Sequence, residues 1–258
     1  MSALRKSGRN RWELIHALEG VVPEEREGLA FLITNMPQHD LVALKTDFLV
    51  EDVHLAYQAV REVPWGRDIP QEIFLNDILP YTSVNERREV WRGDFHQRFI
   101  KIAIASKTID QAVLALNRYV FDTLHVSYDA VKRPKPDQSP YESIRAHYAS
   151  CTGLSILLTD ALRSVGIPAR IVAIAKWPDE SGNHTWVEIW DGQWRYIGAA
   201  EPTALDHTWF TGKASRADAR HPIYAVSFKK THLRFPMRWV PKVKFVSAID
   251  VTEEYKHR

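Results

Sequence analysis

The sequence predicts an α+β protein, and three observations carry that expectation. Apolar residues recur at helical spacing through the first half of the 258-residue chain. An amphipathic helix then opens on the only cysteine, Cys151. After it come a continuous apolar run from Arg170 to Ala175 and two further runs joined by Asp191-Gly192, a hairpin pattern.

Composition bounds the class. With 45% hydrophobic and 26% charged residues the chain can bury a sizeable core. A net charge of +2 gives no general reason to expect nucleic acid or an anionic membrane as a partner. One cysteine rules out an internal disulfide and a cysteine-based zinc site. The histidines form no ligand spacing, so neither a metal nor a cofactor is expected. No apolar run approaches membrane-spanning length. The basic start, MSALRKSGRNRWELIHAL, lacks a secretory signal's apolar stretch, so a cytoplasmic protein is the default, or an exported one if a leader was removed. The end, VTEEYKHR, has no obvious stop signal and leaves room for further domains.

The elements follow in order. Trp12–Val21 and Glu24–Thr34 are short apolar-periodic helices; Val50, Val53, Tyr57 and Val60 mark a longer one, stopped by Pro64 and Gly66. A short helix covers Ile73–Leu79, and Glu86–Ile104 reads as a longer helix whose alternating charges form a solvated face. In Thr108–Leu124, Thr108 and Gln111 have capping-box spacing, and Ile109, Ala112, Val113, Leu116, Val120 and Leu124 form one stripe. Pro134 and Pro136 then break the chain, dividing a helical region, 1–130, from a catalytic core, 131–258.

In that core, Ser139, Pro140 and Glu142 fit an N-cap, a first-turn proline and a capping-box glutamate. Ser150 caps a second helix with Leu154, Leu157, Leu158, Ala161, Leu162 and Val165 on one face, ended by Gly166 and Pro168. Cys151 therefore lies in a first turn, where backbone N–H groups and the helix dipole favour an anion, whether a thiolate or an oxyanion beside the sulfur. His184 leads the hairpin, and further strands are expected at Ile223–Phe228 and Val243–Ile249.

A cysteine opening a helix that ends in GIPAR, followed by His184-x-Trp186-Val187-Glu188 on a strand, resembles the transglutaminase-like superfamily over roughly Ser139–Phe210. Upstream, IPQEIFLNDILPYTSVNERREVWR is similar to the helical region preceding this core in a group of bacterial transglutaminase-like proteins. The resemblance implies a papain-like core, a nucleophile helix packed on an antiparallel sheet, with Cys151 as nucleophile and His184 as general base. It also implies a peptide or other amide-containing substrate. The sequence departs from the pattern at the third member: the superfamily has an aspartate four residues after a strand tryptophan, and here Trp194 is followed at that spacing by Gly198.

Strand geometry narrows the replacement. If Asp191-Gly192 is a two-residue turn, Trp190 pairs with Gln193 and His184 falls opposite Ala199, with Glu201 one diagonal step away at about 7–8 Å. Glu188 and Asp191 are too far along the strand, roughly 13 and 23 Å. Glu201 is therefore the expected third catalytic residue, with Asp206 a substitute. His147, four residues before Cys151, reaches the thiol only if the chain bends sharply. Trp177, Trp209 and Phe210 fit either a substrate cleft or the core.

The expected activity is thiol-dependent acyl transfer, most simply amide hydrolysis through a thioester. Alternatives are a protein-glutamine transglutaminase, a peptide:N-glycanase-like amidase, and a non-catalytic binding module, for which the missing acid is the main support.

Overall fold

Apolar periodicity winds the first half of the chain into helices. In the computed structural model, which describes residues 2–201 and 203–256, these are α1 (Ser2–Lys6), α2 (Arg11–Gly20), α3 (Arg26–Asn35), α4 (Gln38–Leu41), α5 (Thr46–Glu62), α6 (Gln71–Asp77), α7 (Arg92–Ala105) and α8 (Ile109–Leu124). Two-residue strands β1 (Ser127–Tyr128) and β2 (Tyr148–Ala149) pair in parallel around α9 (Pro140–Ala146). The cysteine helix α10 (Cys151–Ser164) comes next. There follow β3 (Ala169–Ile174), β4 (His184–Trp190), β5 (Trp194–Ile197), α11 (Thr211–Ala214), β6 (Ile223–Ser227), β7 (Leu233–Arg234), β8 (Ser247–Asp250) and α12 (Thr252–Tyr255).

The fold is α+β, with a six-stranded sheet in the order β5-β4-β3-β6-β8-β7 whose neighbours all run antiparallel. Strand β3 is buried along its whole length, as its unbroken apolar run requires. Helix α10 packs on β3 and β4 with one side and on α7 and α8 with another. One core joins Phe95 and Phe99 of α7 and Val113 and Leu116 of α8 to Leu157 and Leu158 of α10 and Val187 and Ile189 of β4. A second, from Leu14 to Tyr81, lies within the N-terminal helices.

Five sequence expectations need correction. Residues 80–91 are irregular, so the helix expected from Glu86 begins only at Arg92. Nor is that stretch a solvated face: Glu86, Glu89 and Arg92 are buried. The Glu86 carboxylate accepts hydrogen bonds from Thr82 Oγ1 (2.7 Å) and the Ser83 and Val84 N–H groups (2.6 and 2.8 Å), which hold the loop. Arg92 pairs with Asp52 at 2.7 Å. The Gln111 side chain reaches back to the N–H of Lys107 (3.2 Å), and Thr108 makes no side-chain cap. The capping glutamate of α9 does form, with Ser139 N–H donating to Glu142 at 2.9 Å. Finally, the β4–β5 turn spans three residues, with Gly192 at φ +109°, so Trp190 pairs with Trp194 and not Gln193. The last expected strand is shorter than foreseen, starting at Ser247 and not Val243.

Candidate active site

Two hydrogen bonds between α10 and β4 bring the cysteine and the histidine together. The hydroxyls of Thr152 and Thr185 lie 3.0 Å apart, and Ser155 Oγ donates to the Thr185 carbonyl at 3.3 Å. Each threonine directly follows a candidate site residue, so this bridge ties the start of α10 to the start of β4. Both line one cavity of about 450 Å³ with Tyr128, Leu154, Asn183, Thr185, Ala199, Ala200, Glu201 and Trp209.

The start of α10 is unencumbered. Ser150 is the N-cap residue, yet its hydroxyl turns to the Pro136 carbonyl (3.4 Å) and no side chain caps the helix. The first-turn N–H groups are thus not consumed by a cap and are available to an oxyanion.

His184 is buried among aromatic rings. Phe210 and Trp209 lie with centroids 4.8 and 4.9 Å from the imidazole, and Trp186 and Trp177 stand at 5.9 and 6.3 Å. Burial pushes its pKa down to about 4, so the ring is neutral at neutral pH and able to accept a proton. Its Nε2 is buried and has no hydrogen-bond partner.

Glu201 reaches the same cavity by a route other than the expected pairing. With the observed register carried three residues past β5, Ala200, not Ala199, would face His184, but the strand ends at Ile197 and Ala200 turns into left-handed backbone (φ +63°). Asn117 of α8 holds this turn. Its amide donates to the carbonyls of Gly198 (3.0 Å) and Glu201 (2.9 Å), and its oxygen accepts from Ala200 N–H (3.0 Å). The turn folds the Glu201 side chain over Gly198: a Cβ placed at residue 198 would lie 2.3 Å from Glu201 Oε2 and 2.4 Å from its carboxyl carbon. The carboxylate therefore fills the space that the side chain of an aspartate at 198 would take. Among the described residues its one hydrogen bond, however, comes from Trp209 Nε1 to Oε1 at 2.9 Å. Burial raises the Glu201 pKa, against the lowering effect of that indole N–H.

The other candidates are accounted for. Asp206 accepts from the Tyr196 N–H (2.9 Å) and pairs with Arg195, a structural role at the end of β5. His147 bonds the His125 carbonyl through Nδ1 (3.1 Å) and does not line the cavity. Trp177 and Phe210 are core, whereas Trp209 is 58% exposed and lines the cavity. Asn117 and the Thr152–Thr185 pair were not anticipated. The one visible signal for Asn117 is an amide among the apolar stripe residues of α8, one turn from Val113 and Val120. Among the described residues no group of His, Cys, Asp and Glu could hold a metal ion, and no helix is long and apolar enough to cross a membrane.

A cysteine-opened helix packed on an antiparallel sheet, with a strand histidine across a shared cavity, is the arrangement the sequence resemblance implies. Residues 100–199 match the family model of the transglutaminase-like superfamily, to which that segment of the chain is similar. Among solved structures, a candidate cysteine protease from Cytophaga hutchinsonii is similar at 16% identity and a TM-score of 0.41, covering 73% of this chain. This chain spans 66% of that protein's length, just under two thirds. No curated protein matches.

Proposed function

We propose that the protein is a thiol-dependent acyl-transfer enzyme that hydrolyses a peptide or other amide. The observation that carries this reading is the placement of Cys151, uncapped at the start of α10, and the neutral His184 on one cavity wall, locked by the Thr152–Thr185 bridge. Cys151 Sγ attacks the amide carbon while His184 takes the thiol proton; the carbonyl oxygen becomes an oxyanion facing the α10 N–H groups. Collapse breaks the C–N bond, His184 returns the proton to the departing amine, and a thioester remains. Water then adds with His184 again accepting a proton, and the carboxylic acid leaves as the thiol is restored. In this reading Glu201 supplies the carboxylate that the family carries at position 198, and it acts through His184.

The unpartnered His184 Nε2 favours one rival, a binding module that keeps the fold without the chemistry. Iodoacetamide separates the two. Cys151 in the enzyme should alkylate at neutral pH at least tenfold faster than a free thiol model, and His184→Ala should remove that excess. Alkylation at the model rate in the folded protein would refute the enzyme.

A further inference from the structure

The acid at this site is held by the wrong partner for catalysis, and what holds it is Trp209. His184 Nε2 is buried without a hydrogen bond, and an acceptor carboxylate placed there would orient the ring and stabilise the imidazolium. Among the described residues the only carboxylate lining the cavity, that of Glu201, is taken by the Trp209 indole at 2.9 Å. Trp209 also sets its ring edge-on to the imidazole at 4.9 Å, so one side chain touches both groups that would have to meet. Its side chain is more than half exposed, whereas Asn117 fixes the backbone around Glu201. Gly198 leaves room for the carboxylate to swing, since residue 198 brings no side chain of its own.

We infer that Trp209 is a positioning residue that parks Glu201 in the resting enzyme, and that the catalytic set is completed when the carboxylate exchanges the Trp209 indole N–H for His184 Nε2–H. Substrate entering the cavity displaces the exposed indole and so triggers the exchange. The inference rests on the proposed role of Cys151 and His184 and adds a control to it. No covalent step is involved; one hydrogen-bond acceptor changes donors. The titratable groups lining the cavity with His184 are Tyr128, Cys151 and Glu201. Glu201 alone among them is an acceptor carboxylate that can stabilise the imidazolium.

The test is the titration of His184 followed by NMR in the intact chain, with Trp209→Phe, which keeps an aromatic ring and removes the N–H. Freed from the indole, Glu201 pairs with the imidazole, and the His184 pKa should rise by about one pH unit or more. Adding Glu201→Gln should cancel that rise, while Glu201→Gln alone should leave the resting titration where it is. An unchanged His184 titration in Trp209→Phe, or a rise that survives Glu201→Gln, would overturn the parking role. Alkylation of Cys151 reports separately on the catalytic reading. A rise in the His184 pKa with alkylation at the free-thiol rate would keep the parking contact and refute the enzyme; fast alkylation with no rise would do the reverse.

Discussion

Asp160 sits in the middle of α10, fully buried, with neither carboxylate oxygen in a hydrogen bond. Burial, and after it the charge of Glu86, push its pKa well above the ordinary carboxylate value, against the pull of Arg163 and Arg92. The folded chain therefore holds this proton to higher pH than the unfolded chain, in which an aspartate ionises near 4. Above that value the native state binds more protons than the unfolded state, so this group makes stability fall as pH rises. Asp160→Asn removes the proton requirement at nearly constant volume. It should stabilise the protein by about 1–3 kcal/mol at pH 8 and by much less at pH 4, read from urea unfolding at the two pH values. Asp77, pushed up to about 7 by burial, leaves part of the slope in place. Equal destabilisation at both pH values would mean that Asp160 is not held as the neutral acid. The sequence did not disclose this group. Its apolar residues mark one face of α10 and leave Ser155, Thr159, Asp160 and Arg163 off it; the helix is enclosed by α7 and α8 on one side and by the sheet on the other, so its polar residues are buried too.

At the scale of elements, the site depends on how α8 grips the end of β5. Cys151 and His184 stand out as candidates because each is tied to a local pattern, a helix start and a strand start. That Glu201 lines the same cavity follows from no such pattern. The expected two-residue turn and the diagonal pairing were both incorrect, and what brings the carboxylate to the cavity is a backbone turn clamped by Asn117, whose partners lie more than 80 residues later, at Gly198 and Glu201. A contact of that range leaves no periodicity in the sequence. The clamp has a measurable consequence. Asn117→Ala strands two carbonyls and one N–H in a partly buried turn, which should cost about 1–3 kcal/mol. With Ala200 no longer held in left-handed backbone, Glu201 loses its fixed position. Turnover should fall while the alkylation of Cys151, which depends on the α10–β4 bridge, stays close to that of the parent protein. Loss of alkylation together with turnover would show that Asn117 supports the whole site and not the acid alone.

The whole molecule is riveted by two buried arginines across the line that the prolines draw in the sequence. Arg92 of α7 pairs with Asp52 of α5 and donates to the carbonyls of Ile78, Leu79 and Pro80 and to that of Arg163 in α10. Arg163 in turn donates to the carbonyls of Asp77, Pro80, Thr82 and Ala169, so it touches the helical region and the entry to β3 at once. The hydrophobic core beneath the site likewise runs from Val63 to Leu205. Pro134 and Pro136 thus mark a connection in the chain but not a gap in the packing, because the apolar faces of α7 and α8 are spent on α10. A fragment of residues 131–258 would expose the α10 surface those helices cover and leave Arg163 without its acceptors in residues 77–82. It should show no cooperative unfolding transition and should bind a hydrophobic dye. Adding residues 1–130 as a separate chain should restore the transition if the two parts assemble. In the intact protein, Arg92→Leu strands Asp52 as a buried, unpaired carboxylate and should cost about 3–5 kcal/mol. A fragment that melts cooperatively alone would locate a domain boundary at the prolines and refute the shared core as the source of the site's rigidity.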